Sequence, residues 1–404
     1  MDFQYSHEQV LLADTVRKIA SRYGSQYFQE KSNGRQGSTE LWGELTSAGF
    51  MSVHLPVEFG GGGTGLAELA IVAEEVAAAG CPLLLMLVSP AICANLIRIY
   101  GTSQQRTEWL QQFCSPNFLM AFAITEAAAG SNSHNISLSC ELKGDSVVLN
   151  GSKQYISGCN EASHVMVVAR YSDPAGFSRS SDLDREMDST SIPPRIAEYA
   201  LVMVPVNAEG FSSTAIPMEI TSPETQFSLW FDEVNVARDC LVGNRLFRLN
   251  ELFYGLDPER IVASAMATGI GRYALNHASQ YANIRKVWDT SIGAHQGIAH
   301  PLARSFVGLE SARLMWQKAA WAFDTPGHEA EIGELTNLAK YSASEACLQV
   351  LDSSIQTLGG NGLSSEYGLA SLWGLARLLR IAPVSSEMIL NYVAQRSLDL
   401  DKSY

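Results

Sequence analysis

Asp257-Pro258-Glu259-Arg260 places two carboxylates and a guanidinium where a loop turns into a long helix. Asp257 suits the N-cap, since its side chain can accept from orphan amides, and Pro258 suits the next position, which needs no intrahelical amide bond. Glu259 then falls in the first turn, where the positive end of the helix dipole favours the charged form that a proton abstractor needs. First turns are rich in acids, so the local pattern alone also fits an ordinary acid that serves the dipole. His295 and His300 lack a neighbouring carboxylate at ligand spacing, so no metal site is expected, and no GxSxG elbow marks a hydrolase.

The elements that must position this carboxylate follow from periodicity. Ser6 and Gln9 form a capping box, and Leu12, Val16, Ile19 and Tyr23 then recur at helical spacing. After a polar break at 32–38, further helices are expected over 41–48, 65–79, 89–100 and 103–113. Gly60-Gly61-Gly62-Gly63-Thr64-Gly65 formally matches GxGxxG, but Pro56 sits where the preceding strand should end and the flanks are helical. It reads as a flexible connection between helices rather than a nucleotide loop. From Leu119 the period becomes alternating, which predicts strands over 119–125, 136–142, 146–149, 164–169, 199–206 and 227–236. The stretch 172–196, rich in Ser, Asp, Pro and Arg, reads as a long surface loop. Long helices return over 261–284, 301–323 and 329–358, with shorter ones over 366–379 and 385–397. The fold class is therefore α+β, mainly α, with a helical domain at 1–118, a middle β-domain at 119–243 and a C-terminal helical bundle at 244–404.

Composition narrows the function classes. The 404 residues suffice for two or three domains, and 46% hydrophobic against 17% charged residues suits a compact globular chain. A formal net charge of -14 argues against a nucleic-acid binder. The seven cysteines are scattered without a CxxC pair, as in a reduced cytoplasmic protein. Cys81 to Val88, the longest apolar stretch, is too short for a bilayer, and no targeting segment or membrane association is expected.

Four motifs in order then give the chain its resemblance to the acyl-CoA dehydrogenase family of flavoproteins. They are Ala121-Phe122-Ala123-Ile124-Thr125-Glu126 with Gly130-Ser131-Asn132; Leu149-Asn150-Gly151-Ser152-Lys153-Gln154-Tyr155-Ile156-Ser157; Phe231-Asp232-Glu233-Val234-Asn235-Val236 with Leu241-Val242-Gly243; and Gln356-Thr357-Leu358-Gly359-Gly360-Asn361-Gly362. The resemblance implies FAD as cofactor. Phe122, Ile124, Thr125, Gly130 and Ser131 would run beside the flavin and its pyrophosphate, with Ser131 also near the CoA arm, and Tyr155 and Ser157 would pack on the ring. Arg285, Trp288, Gln356 and Gly360 match positions that reach the FAD of a neighbouring subunit, which implies a homodimer or homotetramer. Ser385 and Glu387 match flavin-side positions.

The implied chemistry is α,β-dehydrogenation of a thioester: a carboxylate takes the α-proton, flavin N5 takes the β-hydride, and the enolate oxygen needs donors. Most of the family places its base just before the last helix, but that register here is Pro383 in Arg380-Ile381-Ala382-Pro383-Val384-Ser385-Ser386-Glu387. A minority places it at the position of Glu259, with Asp257 and Arg260 matching contacts to the CoA arm. The resemblance thus selects Glu259 as catalytic base over Glu387. Pro383 also lacks the amide that in the family helps hold the thioester carbonyl, so Val384 or the ribityl hydroxyl would have to compensate. An acyl-CoA or acyl-carrier thioester would be the substrate and an electron-transfer flavoprotein the acceptor. A flavin-dependent monooxygenase on the same scaffold and a non-catalytic flavin-binding relative are the alternatives.

Overall fold

The structure, a computed structural model, describes residues 4–172 and 198–402. Most of the 172–196 stretch lies outside the described residues. The chain begins with helices α1 (His7–Ala20), α2 (Gly24–Gly34), α3 (Thr39–Ser47), α4 (Leu66–Ala78), α5 (Leu85–Val88), α6 (Asn95–Tyr100) and α7 (Ser103–Leu110). At α1 the box closes in both directions: Gln9 N donates to Ser6 Oγ, and Ser6 N donates to Gln9 Oε1 at 3.0 Å. Helix α2 is missed by periodicity, because Phe28 is its only large buried side chain. The 89–100 stretch is α-helical only in its second half. Its first half, Ser89–Ala94, is a wholly buried π-helical turn with Pro90 near its start.

The glycine run is not slack. Gly61 N donates to Pro56 O, Gly62 N to Ser52 O, Gly63 N to Leu55 O and Thr64 N to Val53 O, so these amides are spent within the chain. A Cβ at Gly61 would stand 2.2 Å from the Leu55 carbonyl oxygen, so glycine serves close packing here.

The middle layer holds β1 (Met120–Ala123), β2 (Ser139–Lys143), β3 (Ser146–Ser157), β4 (His164–Tyr171), β5 (Tyr199–Pro205), β6 (Phe211–Ile216) and β7 (Gln226–Ala237). Among the described residues they form one sheet in the order β1-β4-β2-β3-β7-β6, with β5 also paired to β4. β3 runs well beyond the expected 146–149, through Gly151 to Ser157, with register shifts against β7. β6 was not expected: four of its six residues are exposed and polar or small, as an edge strand allows.

The C-terminal layer holds α8 (Leu249–Gly255), α9 (Asp257–Ile284), the short hairpin β8 (Lys286–Val287) and β9 (Thr290–Ser291), then α10 (Gln296–Asp324), α11 (Glu329–Leu358), α12 (Trp373–Ile381) and α13 (Ser386–Arg396). Helix α9 is the axis of this layer and packs on α4, α10 and α11. Small residues permit the approach: a Cβ at Gly269 would lie 2.3 Å from the Glu74 carbonyl oxygen of α4. The architecture is therefore an N-terminal helical part, a middle sheet and a C-terminal bundle, as periodicity indicated.

Candidate active site

Helix α9 starts one residue earlier than the N-cap reading of Asp257 requires. Leu256 is the N-cap residue, without a side-chain bond, and Asp257 is already helical, so Asp257 does not cap. Its carboxylate is engaged elsewhere, by an ion pair to Arg260 Nη1 and by Thr336 Oγ1 of α11, which donates to Oδ1 at 2.8 Å. Asp257 and Arg260 are 3% and 6% exposed. Burial pushes the Asp257 carboxyl up, while Arg260 and Thr336 oppose the shift. Arg260 keeps one buried donor, Nε, without a partner.

Glu259 differs from its neighbours. No hydrogen bond or ion pair among the described residues holds its carboxylate, and the residue keeps partial solvent access while protein surrounds its side chain. Desolvation raises its pKa to about 8, against the opposing pull of Arg260 and Lys340. Beneath it the π-helical turn contributes Cys93, whose thiol is pushed well up by burial and by Glu259, and which therefore stays neutral. An unpartnered, half-buried carboxylate with a strongly shifted pKa is a candidate for proton transfer.

Lys340, on α11 one turn beyond Thr336, is 1% exposed. Its Nζ donates to the Val384 carbonyl, and burial lowers its pKa to about 8. This links α11 to the Pro383 loop. Among the described residues nothing accepts from the Val384 N–H. Ser385 caps α13 by accepting from Met388 N at 3.3 Å. Glu387 lies exposed in the first turn of α13, where its own amide, with Arg380 and Arg377 nearby, holds its carboxyl low.

A second group of residues meets where β1 ends beside β3. Lys153 Nζ donates to Ile124 O at 2.9 Å and Gln154 N to Thr125 O at 2.9 Å, so Ile124 and Thr125 lie against the strand that carries Tyr155 and Ser157. Tyr155 sits in the irregular stretch of β3 with φ of 58° and is 57% exposed, so its ring is presented outward. The Ser157 hydroxyl pairs with the Gln226 side chain, whose Nε2 donates to it at 2.8 Å. Gly130 and Ser131 are exposed, and a Cβ at Gly130 would meet nothing within 4 Å. The Phe122 side chain, by contrast, is buried in the core with Met120 and Ile92, so only its main chain can face a ligand.

Arg285, Trp288, Gln356 and Gly360 form a third group, far from Glu259. From Glu259 to Arg285 the helix rises about 39 Å. Asn361 Nδ2 donates to Tyr281 Oη at 3.2 Å and ties the glycine turn after α11 to the end of α9. Arg285, Trp288, Gln356 and Gly360 are all exposed, Trp288 by 88%.

Four residues central to this geometry escaped the sequence reading. Thr336 and Lys340 lie on a stripe with Ala339, Ala343 and Cys347, all buried, and a lysine in such a stripe is the signal that was there to read. Gln226 faces Ser157 across the β3–β7 ladder. Glu126 is bound to Lys153 at 2.8 Å with both side chains sealed. Among the described residues no group of three or more His, Cys, Asp or Glu could hold a metal, and no helix is long and apolar enough to cross a membrane.

Comparison with known proteins agrees along the whole chain. Residues 6–117 match the acyl-CoA dehydrogenase N-terminal domain, 121–228 the middle domain and 252–398 the C-terminal domain. The acyl-CoA dehydrogenase FadE12 of Mycobacterium tuberculosis is 45% identical over 402 residues, covering 100% of this chain and 99% of the relative. A glutaryl-coenzyme A dehydrogenase solved with glutaryl-CoA superposes with a TM-score of 0.89 at 26% identity, covering 100% of this chain and 98% of the other. The FAD complex of PigA shares the fold, with a TM-score of 0.86 at 22% identity and coverage of 99% and 100%.

Proposed function

The chain belongs to the acyl-CoA dehydrogenase family, and from that premise we propose that it oxidises an acyl-CoA thioester between Cα and Cβ with Glu259 as the base. The observation that carries this reading is the Glu259 carboxylate, unpartnered and half-buried, with the charges of Arg260 and Lys340 acting on it.

Each residue has a part that follows from its surroundings. Glu259 takes the α-proton in its charged form, so activity requires that the carboxylate ionise against its own desolvation. Arg260, fixed by Asp257 and with Nε unspent, offers a donor to the thioester arm. Val384 N–H, free of internal bonds, stands next to Pro383 and replaces the amide that proline lacks. Glu387 is exposed, charged and in the first turn of α13, and serves the last helix rather than proton transfer.

The residues near β1 and β3 fit FAD. Tyr155 presents an outward ring, Ser157 and Gln226 offer neutral polar groups, and the open backbone at Gly130–Ser131 leaves room for an anionic group. Ile124, Thr125 and the Phe122 main chain complete that surface. When bound, FAD would supply the acceptor for the β-hydrogen and its electron pair. Arg285, about 39 Å along α9 from the base, and Trp288, Gln356 and Gly360 near the same end of the bundle serve the FAD of a second copy, so the working unit is a homodimer or homotetramer. Electrons leave to an electron-transfer flavoprotein. The described cysteines are all free, which fits a reducing, cytoplasmic setting.

The test is to purify the protein, identify its pigment and mix it anaerobically with a panel of acyl-CoAs. Bleaching of bound FAD by one class of chain supports the reading. A folded sample without FAD, or with FAD that no acyl-CoA reduces, overturns it.

A further inference from the structure

A single ammonium group sealed inside a helical bundle is costly to keep, because its desolvation must be met by matched charge and hydrogen bonds. Lys340 makes one hydrogen bond, to the Val384 carbonyl, and no ion pair among the described residues. The charges that face it come from three helices: Glu259 and Arg260 of α9, Glu345 of its own α11, and Glu387 of α13. Of the carboxylates, Glu345 is paired with Arg380 and accepts from Ser386 Oγ at 3.1 Å. Glu387 is exposed, with Arg380 and Arg377 beside it. Asp257, close by, is taken by Arg260 and Thr336. Glu259 alone has no partner, and the Cys93 thiol near it is neutral.

We propose that Lys340 is the positioning residue of this site: its buried cation stands against the Glu259 carboxylate, and its bond to Val384 O fixes the loop so that the Val384 N–H stays free for the thioester carbonyl. This inference rests on Glu259 being the base. Lys340 does not touch the reacting atoms and transfers no proton. Its charge favours the ionised form of Glu259, and its bond to Val384 fixes the loop without occupying the amide. Both effects need a cation of this reach. Arginine supplies one, and methionine supplies neither.

The proposal is tested in the FAD-loaded enzyme with Lys340→Met and Lys340→Arg. Anaerobic flavin reduction by a good acyl-CoA is measured from pH 6 to 10. Without the cation, the Glu259 carboxylate ionises only at higher pH. Lys340→Met should therefore lose on the order of 10-fold at pH 7, recover much of that loss above pH 9, and leave Lys340→Arg near wild type. An equal loss at every pH, or no loss, overturns the proposal. A second measurement needs no turnover: carbon-13 NMR of labelled lysine Cε follows the Lys340 titration in wild type and in Glu259→Gln. Loss of the facing carboxylate should make Lys340 release its proton at lower pH, and an unchanged titration overturns the pairing even if Lys340→Met does not fold. Failure of the base assignment shows differently, as a Glu259→Gln enzyme that still reduces its flavin.

Discussion

Thr336 of α11 donates its hydroxyl to Asp257 Oδ1 at 2.8 Å, across two helices and 79 positions of sequence. That bond, with the Arg260 ion pair, turns the acid that resembled a helix cap into a tether for the first turn of α9. Thr336→Val keeps the shape and removes the donor. It should cost about 1–2 kcal/mol in thermal or denaturant unfolding, because Asp257 keeps Arg260 but loses one buried partner. In the proposed role of Arg260 as a donor to the thioester arm, KM should rise more than kcat falls, and steady-state kinetics with the best acyl-CoA would check it.

Glu259→Gln should keep fold, FAD content and thioester affinity, since the amide is nearly isosteric and the carboxylate has no hydrogen-bond partner to lose. Anaerobic flavin reduction should fall by about 10²- to 10⁴-fold, the usual worth of a general base. Glu387→Gln, at an exposed first-turn position of α13, should change the same step far less. Stopped-flow reduction of both variants decides between the two acids, and loss confined to the Glu387 variant would reverse the assignment.

The same carboxylate imposes a pH-dependent cost on folding. Its pKa in the folded chain, about 8, lies above the ordinary value of 4.5, so the folded state holds the proton more tightly than the unfolded chain. Stability from this group is full below pH 4.5 and declines as pH rises toward 8. Glu259→Gln removes that decline. The variant should be more stable than wild type by about 2 kcal/mol at pH 9, discounting for residual solvent access, and the gain should vanish near pH 5. Activity runs the other way, because kcat/KM should climb with pH as the base ionises. Denaturant unfolding across the pH range, set beside kcat/KM, tests both slopes.

The sequence was most legible where a residue's role is local. The Ser6–Gln9 box, the alternation from Leu119 and the glycines that end the long helix at Gly359-Gly360 mark the three-part layout without any long-range knowledge, whereas Asn150-Gly151 is no break but lies inside β3, where the ladder to β7 shifts register. β6 and α2 escaped because an edge strand and a helix with one large buried residue carry almost no periodic signal. Glu259 was legible as a first-turn acid, but not its isolation, which depends on Lys340 lying 81 positions away and on Asp257 being engaged by Thr336. Gln226 could not be assigned to Ser157 before the β3–β7 register was known, since that ladder shifts twice along its length. Side chains that act across helices or strands are set by packing, and packing is what a linear pattern leaves open.

Lys153 and Glu126 form the most enclosed ion pair among the described residues, with side chains 0% and 4% exposed. Burial pushes the Glu126 carboxyl up, but Lys153 and the Ser137 and Leu138 donors outweigh it and hold the group below its ordinary value. Glu126 accepts from Ser137 N and Ser137 Oγ, both at 2.7 Å, and from Leu138 N at 3.0 Å. Lys153 in turn holds Ile124 O, so this one cation fixes the edge on which Ile124, Thr125 and Tyr155 are displayed. Lys153→Met strands a buried carboxylate and should cost about 3–5 kcal/mol. The protein should also lose FAD more readily on gel filtration, because the β1 end then keeps only the Gln154 N to Thr125 O bond to β3. Adding Glu126→Gln to Lys153→Met removes the stranded charge and should recover part of the stability. It should recover less of the FAD retention, because the bond to Ile124 O is still missing. If the double variant regained both in full, the pair would serve charge balance alone and the β1–β3 junction would hold without it.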